Sequence, residues 1–244
     1  MRIALVGYGK MGQEIQRLSD KVEIIIDPHS PQADFTSISL ESLKGCDVAI
    51  DFTTPSCILK NIHQYLNLGI PAVIGTTGWY DNLSEVASKL EEVKGCLFYT
   101  PNFSIGIHLF FRMVRQAAKL MNPFKEYDVS GFEAHHRLKA DSPSGTAEKC
   151  AEILLEESNQ KHSVCYDSSK DVMKETTLHF PSLRCGMMPG THQVLFDSYV
   201  DSISLTHTAR SREGFAYGAL KAAEWLQNKK GLFTMDDLLN GSLS

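Results

Sequence analysis

The sequence predicts an α/β fold in which a Rossmann-like parallel-sheet dinucleotide domain is joined to a smaller α+β domain with a mixed or antiparallel sheet. Three observations predict it. Short apolar runs alternate with helical segments over the first hundred residues, the pattern of βαβ units and a parallel sheet. A glycine triplet follows the first run. After Phe103 the pattern changes to a long apolar helix and then to evenly alternating segments, as expected of strands with one solvated face.

The elements follow in order. RIALVG (2–7) reads as a strand buried on both faces, and 10–19 as a helix with Met11, Ile15 and Leu18 on one side. VEIIID (22–27), DVAIDF (47–52), PAVIG (71–75) and CLFYT (96–100) are further strands, with helices at 56–68 and 81–93. The composition shift near 104 marks the domain boundary. Beyond it come a helix at 107–121, a strand at 127–134, a helix at 145–157 and a polar surface excursion at 158–175. Strands at 176–183, 191–200 and 202–210 precede a final helix at 214–226.

Composition narrows the function. The chain has 244 residues, of which 43% are hydrophobic and 22% charged, with a net charge of −5. An ordinary globular protein is implied, and a nucleic-acid partner is disfavoured because phosphate binding needs a basic footprint. No apolar stretch approaches the ~20 residues that cross a bilayer, so no membrane partner is expected. The N-terminal run lacks the apolar region of a signal peptide. Six scattered cysteines without a CxxC pair fit a reducing cytoplasm.

Gly7-Tyr8-Gly9-Lys10-Met11-Gly12 is a GxGxxG motif between a strand and a helix. Gly7 permits a tight turn, Gly9 lets a pyrophosphate approach the backbone, and Gly12 permits close helix–strand packing. Asp27 ends the second strand, where an acid can bond the ribose hydroxyls of NAD. Pro28-His29-Ser30 offers no arginine for a 2′-phosphate, which favours NADH over NADPH. The plainer alternative is that Asp27 caps its own loop. Gly75, Thr76 and Thr77, with Thr100, Pro101, Asn102 and Phe103, follow the fourth and fifth strands. Ligands of open α/β sheets bind at such carboxyl ends.

A second signal runs from Glu133 to Ala147, EAHHRLKADSPSGTA. Its histidines can donate protons near neutral pH. Arg137 and Lys139 are cations, and Ser142-Pro143-Ser144-Gly145-Thr146 opens a helix whose N–H groups suit an anion. A small carboxylate substrate is expected. A metal shared by the histidines with Asp141 or His192 is the weaker reading, because adjacent histidines on an extended segment point to opposite sides. No metal is expected. A solvated loop before a capped helix is the plainest reading of all.

Together these segments resemble the 4-hydroxy-tetrahydrodipicolinate (dihydrodipicolinate) reductase family. The resemblance spans GxGxMG, DFT-x-P, GTTG, Pro101-Asn102-Phe103-Ser104 and the E-x-HH-x-x-K-x-D-x-PSGTA signature. It continues through Arg184-x-Gly186, Pro189-Gly190-Thr191-His192 and Ser211-Arg212. It implies reduction of a cyclic imine dicarboxylate in lysine and diaminopimelate biosynthesis, with His135 as proton donor and Lys139 as the second essential group. His136, Lys139, Ser144, Gly145, Thr146 and Arg212 would hold the substrate carboxylates. It also implies a homotetramer, and a cofactor domain of 1–104 with 214–244 around a substrate and assembly domain of 105–213. The chain departs from the family in a glycine loop one residue shorter than is common, and in Pro101 where alanine is frequent. Two other classes remain on residues alone: a semialdehyde-type dehydrogenase that acylates a cysteine, and a non-catalytic nucleotide sensor.

Overall fold

The computed structural model describes residues 1–167 and 171–242. The chain opens with β1 (Ile3–Val6), α1 (Lys10–Leu18), β2 (Val22–Ile26), β3 (Val48–Asp51), α2 (Pro55–Leu68), β4 (Ala72–Ile74), α3 (Leu83–Val93) and β5 (Cys96–Tyr99). It continues with α4 (Ile105–Met121), β6 (Asp128–His135), α5 (Gly145–Glu157), β7 (Ser163–Cys165), β8 (Thr177–His179), β9 (Ser182–Arg184), β10 (Thr191–Asp197) and β11 (Ser202–Thr208). It ends with α6 (Glu213–Trp225), β12 (Gly231–Phe233) and α7 (Met235–Gly241).

Two compact units result: Met1–Ile105 with the chain from Arg212 onward, and Gly106–Ser211. Arg212, expected among the substrate-domain residues, therefore falls in the first unit, at the start of α6.

The first unit is built on a parallel six-stranded sheet of order β12-β5-β4-β3-β1-β2. β1 pairs with β2 on one side and β3 on the other, so the direction of winding reverses there. That reversal is the switch point at which such sheets bind ligands. Alternation along the strands supplies both faces. Ile3 and Leu5 pack with Ile15, Phe98 and the α6 alanines 216, 219, 222 and 223. Ala4 and Val6 pack with Ile58, Ile62, Tyr65 and Val86 on the opposite face.

The second unit carries a mixed sheet of order β11-β10-β6-β9, antiparallel except for the β6–β9 pair. Its core joins Phe110 and Val114 of α4 to Cys150, Ile153 and Leu154 of α5 and to Val129, Val194 and Phe196 of the sheet.

Several expectations are corrected. The strand expected at 176–183 is two, because Pro181 lacks the N–H a continuous ladder needs. β8 pairs with β7 in a separate two-stranded sheet, and β9 joins the mixed sheet. The expected excursion at 158–175 contains β7, while its residues 168–170 lie outside the described residues. The strand expected at 191–200 stops at Asp197, where Ser198 and Asp201 close a turn. β12 and α7 were not expected; a capping box between Thr234 and Asp237 starts α7.

Candidate active site and dinucleotide site

In the first unit, Gly7 ends β1 with φ +89° and Gly9 is the N-cap of α1, whose first turn has no side-chain cap. A Cβ at Gly12 would lie 2.3 Å from the Gly7 carbonyl oxygen, so only glycine lets the helix start this close to the strand. Lys10 is exposed and Met11 half-buried. Gly75 leaves room for the Phe52 ring, which a Cβ there would meet at 2.2 Å. The uncapped N–H groups of α1 and the close glycine turn fit a bound pyrophosphate.

Asp27 is already engaged. Its carboxylate accepts the N–H of Tyr8 at 2.7 Å, of His29 at 2.7 Å and of Ser30 at 3.1 Å. Burial opposes its ionisation, but these three donors outweigh burial and hold its pKa below the usual carboxylate value. The loop cap weighed in the sequence is thus present, and it fixes the carboxylate beside the glycine loop.

Beyond the other strand ends, Thr76 is buried with its hydroxyl unpaired, and Thr77 is exposed. The Thr100 hydroxyl donates to the Asn102 carbonyl at 2.9 Å and accepts the Asn102 N–H at 3.2 Å. Pro101 is exposed at this turn. Phe103 points into the core against Phe52 and Phe98, which leaves only its backbone for a ligand.

Asp51, at the end of β3, is fully buried. It accepts from Thr53, from Asn61 at 3.0 Å and from the Tyr65 hydroxyl at 2.7 Å. Burial raises its pKa against these donors.

In the second unit, strand periodicity places Glu133 and His135 on one face of β6. The register sets His192 of β10 opposite Glu133, and Arg184 of β9 opposite His135. Glu133 is wholly buried. Its Oε1 accepts from Arg184 Nη2 at 2.8 Å and from the Ser144 N–H at 3.2 Å. Its Oε2 lies 2.8 Å from His135 Nδ1 and 3.7 Å from His192 Nε2. Burial resists the Glu133 charge, yet donation from Ser144 and Arg184 pulls its pKa down to about 2. Burial also lowers His135, against the pull of Glu133, and pushes His192 down to about 4.

The remaining predicted residues surround this pair. Lys139 forms an ion pair with Asp141 at 2.7 Å. His136 is half-buried, and its N–H donates to the Met188 carbonyl at 2.8 Å. Ser144 caps α5 by accepting the Ala147 N–H at 3.2 Å, and its hydroxyl lies 3.1 Å from His192 Nε2. Gly145 and Thr146 supply the first two N–H groups of α5, donors that a helix leaves without intrahelical acceptors. Arg212 belongs to the first unit, where it is the N-cap of α6.

Sequence reasoning assigned no role to Glu133 or Arg184, and left His192 only as a weak metal candidate. The available signals were the i, i+2 spacing of Glu133 and His135 and the presence of Glu133, Arg184 and His192 in motifs of the resemblance. Glu133, His135 and His192 bring ligand atoms within 4.8 Å of one another, a set of metal-binding type. Arg184, however, already neutralises this carboxylate.

A glycine-loop parallel sheet with a second unit that gathers a histidine, a lysine and an open helix start defines a dinucleotide-dependent oxidoreductase. Comparison with known proteins narrows the class. Residues 1–103 match the family model "Dihydrodipicolinate reductase, N-terminus", and residues 106–239 match "Dihydrodipicolinate reductase, C-terminus". A 4-hydroxy-tetrahydrodipicolinate reductase of Christiangramia forsetii is 38% identical over 98% of both chains. One from Staphylococcus carnosus is 36% identical over 98% of this chain and 100% of its own. A dipicolinate-bound dihydrodipicolinate reductase from Paenisporosarcina sp. TG-14 superposes with TM-score 0.77 at 26% identity, covering 96% of this chain and 97% of that one. The chain belongs to the dihydrodipicolinate reductase family.

Proposed function

We propose that this chain reduces 4-hydroxy-tetrahydrodipicolinate to tetrahydrodipicolinate with a reduced nicotinamide dinucleotide. One hydride and one proton enter, and water leaves with the 4-hydroxyl group. The observation that carries the reading is His135 on a buried carboxylate, in the same loop-and-helix cluster as Lys139 and the first N–H groups of α5.

When bound, the nicotinamide supplies the hydride. Gly7, Gly9, Lys10, Met11 and Gly12 would hold the pyrophosphate, and Asp27 the adenine ribose. Gly75, Thr76, Thr77 and the Thr100–Phe103 turn would border the nicotinamide half. Lys139, His136 and the Ser144–Thr146 segment would take the two substrate carboxylates. Fixing the ring in this way reduces the orientational part of the barrier, which reaches ~7–11 kcal/mol in favourable systems. His135 then gives its proton to the substrate, a step worth ~10²–10⁴ in rate.

NADH is the favoured reductant, because Asp27 faces the ribose end of the loop without an arginine beside it. The family resemblance supports a cytoplasmic homotetramer, for which light scattering should give four times the chain mass. For a cysteine-acylating dehydrogenase, Cys46, Cys96 and Cys150 are buried with raised thiol pKa values. Half-buried Cys57, by contrast, has its thiol pKa lowered by Thr53 and Thr54 against burial, and Cys185 is exposed, so alkylation that leaves turnover intact is the test that eliminates this class. The deciding experiment is NADH oxidation with freshly prepared substrate, in wild type and His135→Gln. Turnover in wild type that falls ~10²–10⁴-fold in the variant supports the reading. Equal turnover in both would reject it.

A further inference from the structure

The two ring nitrogens of His135 have different surroundings. Nδ1 lies 2.8 Å from Glu133 Oε2, a close contact whose alignment falls short of a hydrogen bond and which leaves the carboxylate as the polar group beside that nitrogen. Nε2 lies beside Gly190, where a Cβ would come within 2.8 Å of it. A general acid works through one nitrogen, and the partner of the other decides which one that is.

We propose that Glu133 is the positioning residue of the proton donor: clamped by Arg184 and the Ser144 N–H, its carboxylate holds His135 Nδ1 inward, so that the Nε2 proton is the one delivered to substrate. The inference rests on His135 being that donor.

Three features carry it. Both donors to Glu133 Oε1 come from other elements, Arg184 of β9 and the N-cap of α5, so the carboxylate cannot turn away without breaking both. That leaves Oε2 for the imidazole. Of the two nearby rings, His135 is closer at 2.8 Å, while His192 stands at 3.7 Å and has the Ser144 hydroxyl as a partner at 3.1 Å. Finally, the charge balance suits an acid that must recharge. Burial, Lys139 and Arg184 disfavour an imidazolium at 135 and lower its pKa, and Glu133, with Asp141, is the charge that opposes them. His192, 5.1 Å away edge-on, is neutral at working pH because burial lowers it. Without Glu133 the balance would tip against the charged ring.

The test uses pH profiles of kcat and kcat/KM for wild type, Glu133→Gln, His135→Gln and the double variant. A general acid must be protonated, so activity falls as pH rises through its pKa. Removing the adjacent carboxylate should move that fall down by one pH unit or more. Turnover in Glu133→Gln should recover towards wild type at low pH, while the Kd of NADH and of pyridine-2,6-dicarboxylate stays within about twofold of the wild-type value. The double variant should lose no more than His135→Gln alone, the mark of two residues acting through one step. A Glu133→Gln profile that is depressed equally at every pH would make Glu133 merely structural and overturn the proposal.

Nitrogen-detected NMR of the wild-type protein settles the point even where Glu133→Gln does not fold. Neutral His135 should carry its proton on Nδ1, and an Nε2–H tautomer would sink the inference. Loss of turnover in His135→Gln with an unmoved Glu133→Gln profile overturns the positioning role alone. Retained turnover in His135→Gln removes the donor reading as well.

Discussion

Gly190 and His135 are in near contact: a Cβ at position 190 would stand 2.8 Å from His135 Nε2 and 3.1 Å from Cδ2. Gly190 has φ +150°, a conformation side chains rarely adopt. The residue just before β10 thus both permits the turn into the strand and keeps the imidazole edge clear.

Gly190→Ala is the first prediction. The added methyl must displace the ring or the backbone, and the strained φ adds roughly 1–3 kcal/mol. We expect kcat/KM to fall at least tenfold while NADH affinity, which the proposed reading assigns to the glycine loop, is unchanged. Fluorescence titration with NADH beside steady-state kinetics checks this. An unaffected kcat/KM would mean that the contact plays no part in turnover.

Lys139 and Asp141 give the second. Their ion pair, 2.7 and 2.8 Å from Nζ to the two carboxylate oxygens, would compete with the substrate carboxylate that the proposed function assigns to Lys139. Lys139→Ala should raise KM by ten- to a hundredfold, the equivalent of a charge-assisted bond of ~1.5–3 kcal/mol. Asp141→Asn should lower KM by releasing the lysine. A KM that moves in neither variant would assign the pair to the solvated surface.

Acid stability gives the third. Glu133 ordinarily titrates at 4.5 and here at about 2, so its contribution is complete above pH 4.5 and is lost as pH falls towards 2. Buried His192, moved from 6.5 to about 4, is uncharged in the fold but gains a proton on unfolding below pH 6.5. Its contribution is therefore complete above 6.5 and lost as pH falls towards 4. Each represents at most ~3 kcal/mol. Tm should be level above pH 6.5 and decline in two overlapping stages below it. In His192→Gln the stage between 6.5 and 4 should flatten; an unchanged curve would show that His192 is not the group that titrates there.

How much of this was legible depended on the range of the interactions. The strand–GxGxxG–helix start could be read because its constraint is local, with Gly12 and Gly7 five residues apart. The PSGTA helix start was legible for the same reason, since Ser144 caps its own helix. Arg184 and His192 were not assigned, because their place beside Glu133 depends on strand register across about fifty residues. Phe103 was placed among cofactor contacts by its position after a strand, yet its ring joined the core with Phe98 and Phe52. β12 is only three residues long, too short for periodicity to show. α7 did carry a local sign, the Thr234–Asp237 capping box.

Cofactor choice is the last prediction, and it rests on Asp27. Its Oδ1 accepts from His29 and Ser30 and its Oδ2 from Tyr8, so the carboxylate is pinned in place and ionised at neutral pH. A carboxylate has about four lone-pair sites, and three donors leave capacity for a ribose hydroxyl. A 2′-phosphate would instead put two negative groups together, and Pro28-His29-Ser30 supplies no guanidinium to separate them. Losing one charge-assisted bond costs ~1.5–3 kcal/mol, so NADH should exceed NADPH in kcat/KM by tenfold or more. Lys10, exposed on the first turn of α1, is the one cation of the glycine loop and works against this preference. Lys10→Ala should therefore widen the ratio, and Asp27→Ala should narrow it. Asp27→Ala also removes the cap on the Tyr8, His29 and Ser30 N–H groups, so Asp27→Asn, which keeps acceptors without the charge, is the cleaner partner. Paired kinetics with both reductants on wild type and the three variants gives the answer. An NADPH preference in wild type, or a ratio that Asp27→Asn leaves unmoved, would show that Asp27 caps its loop and does not read the ribose.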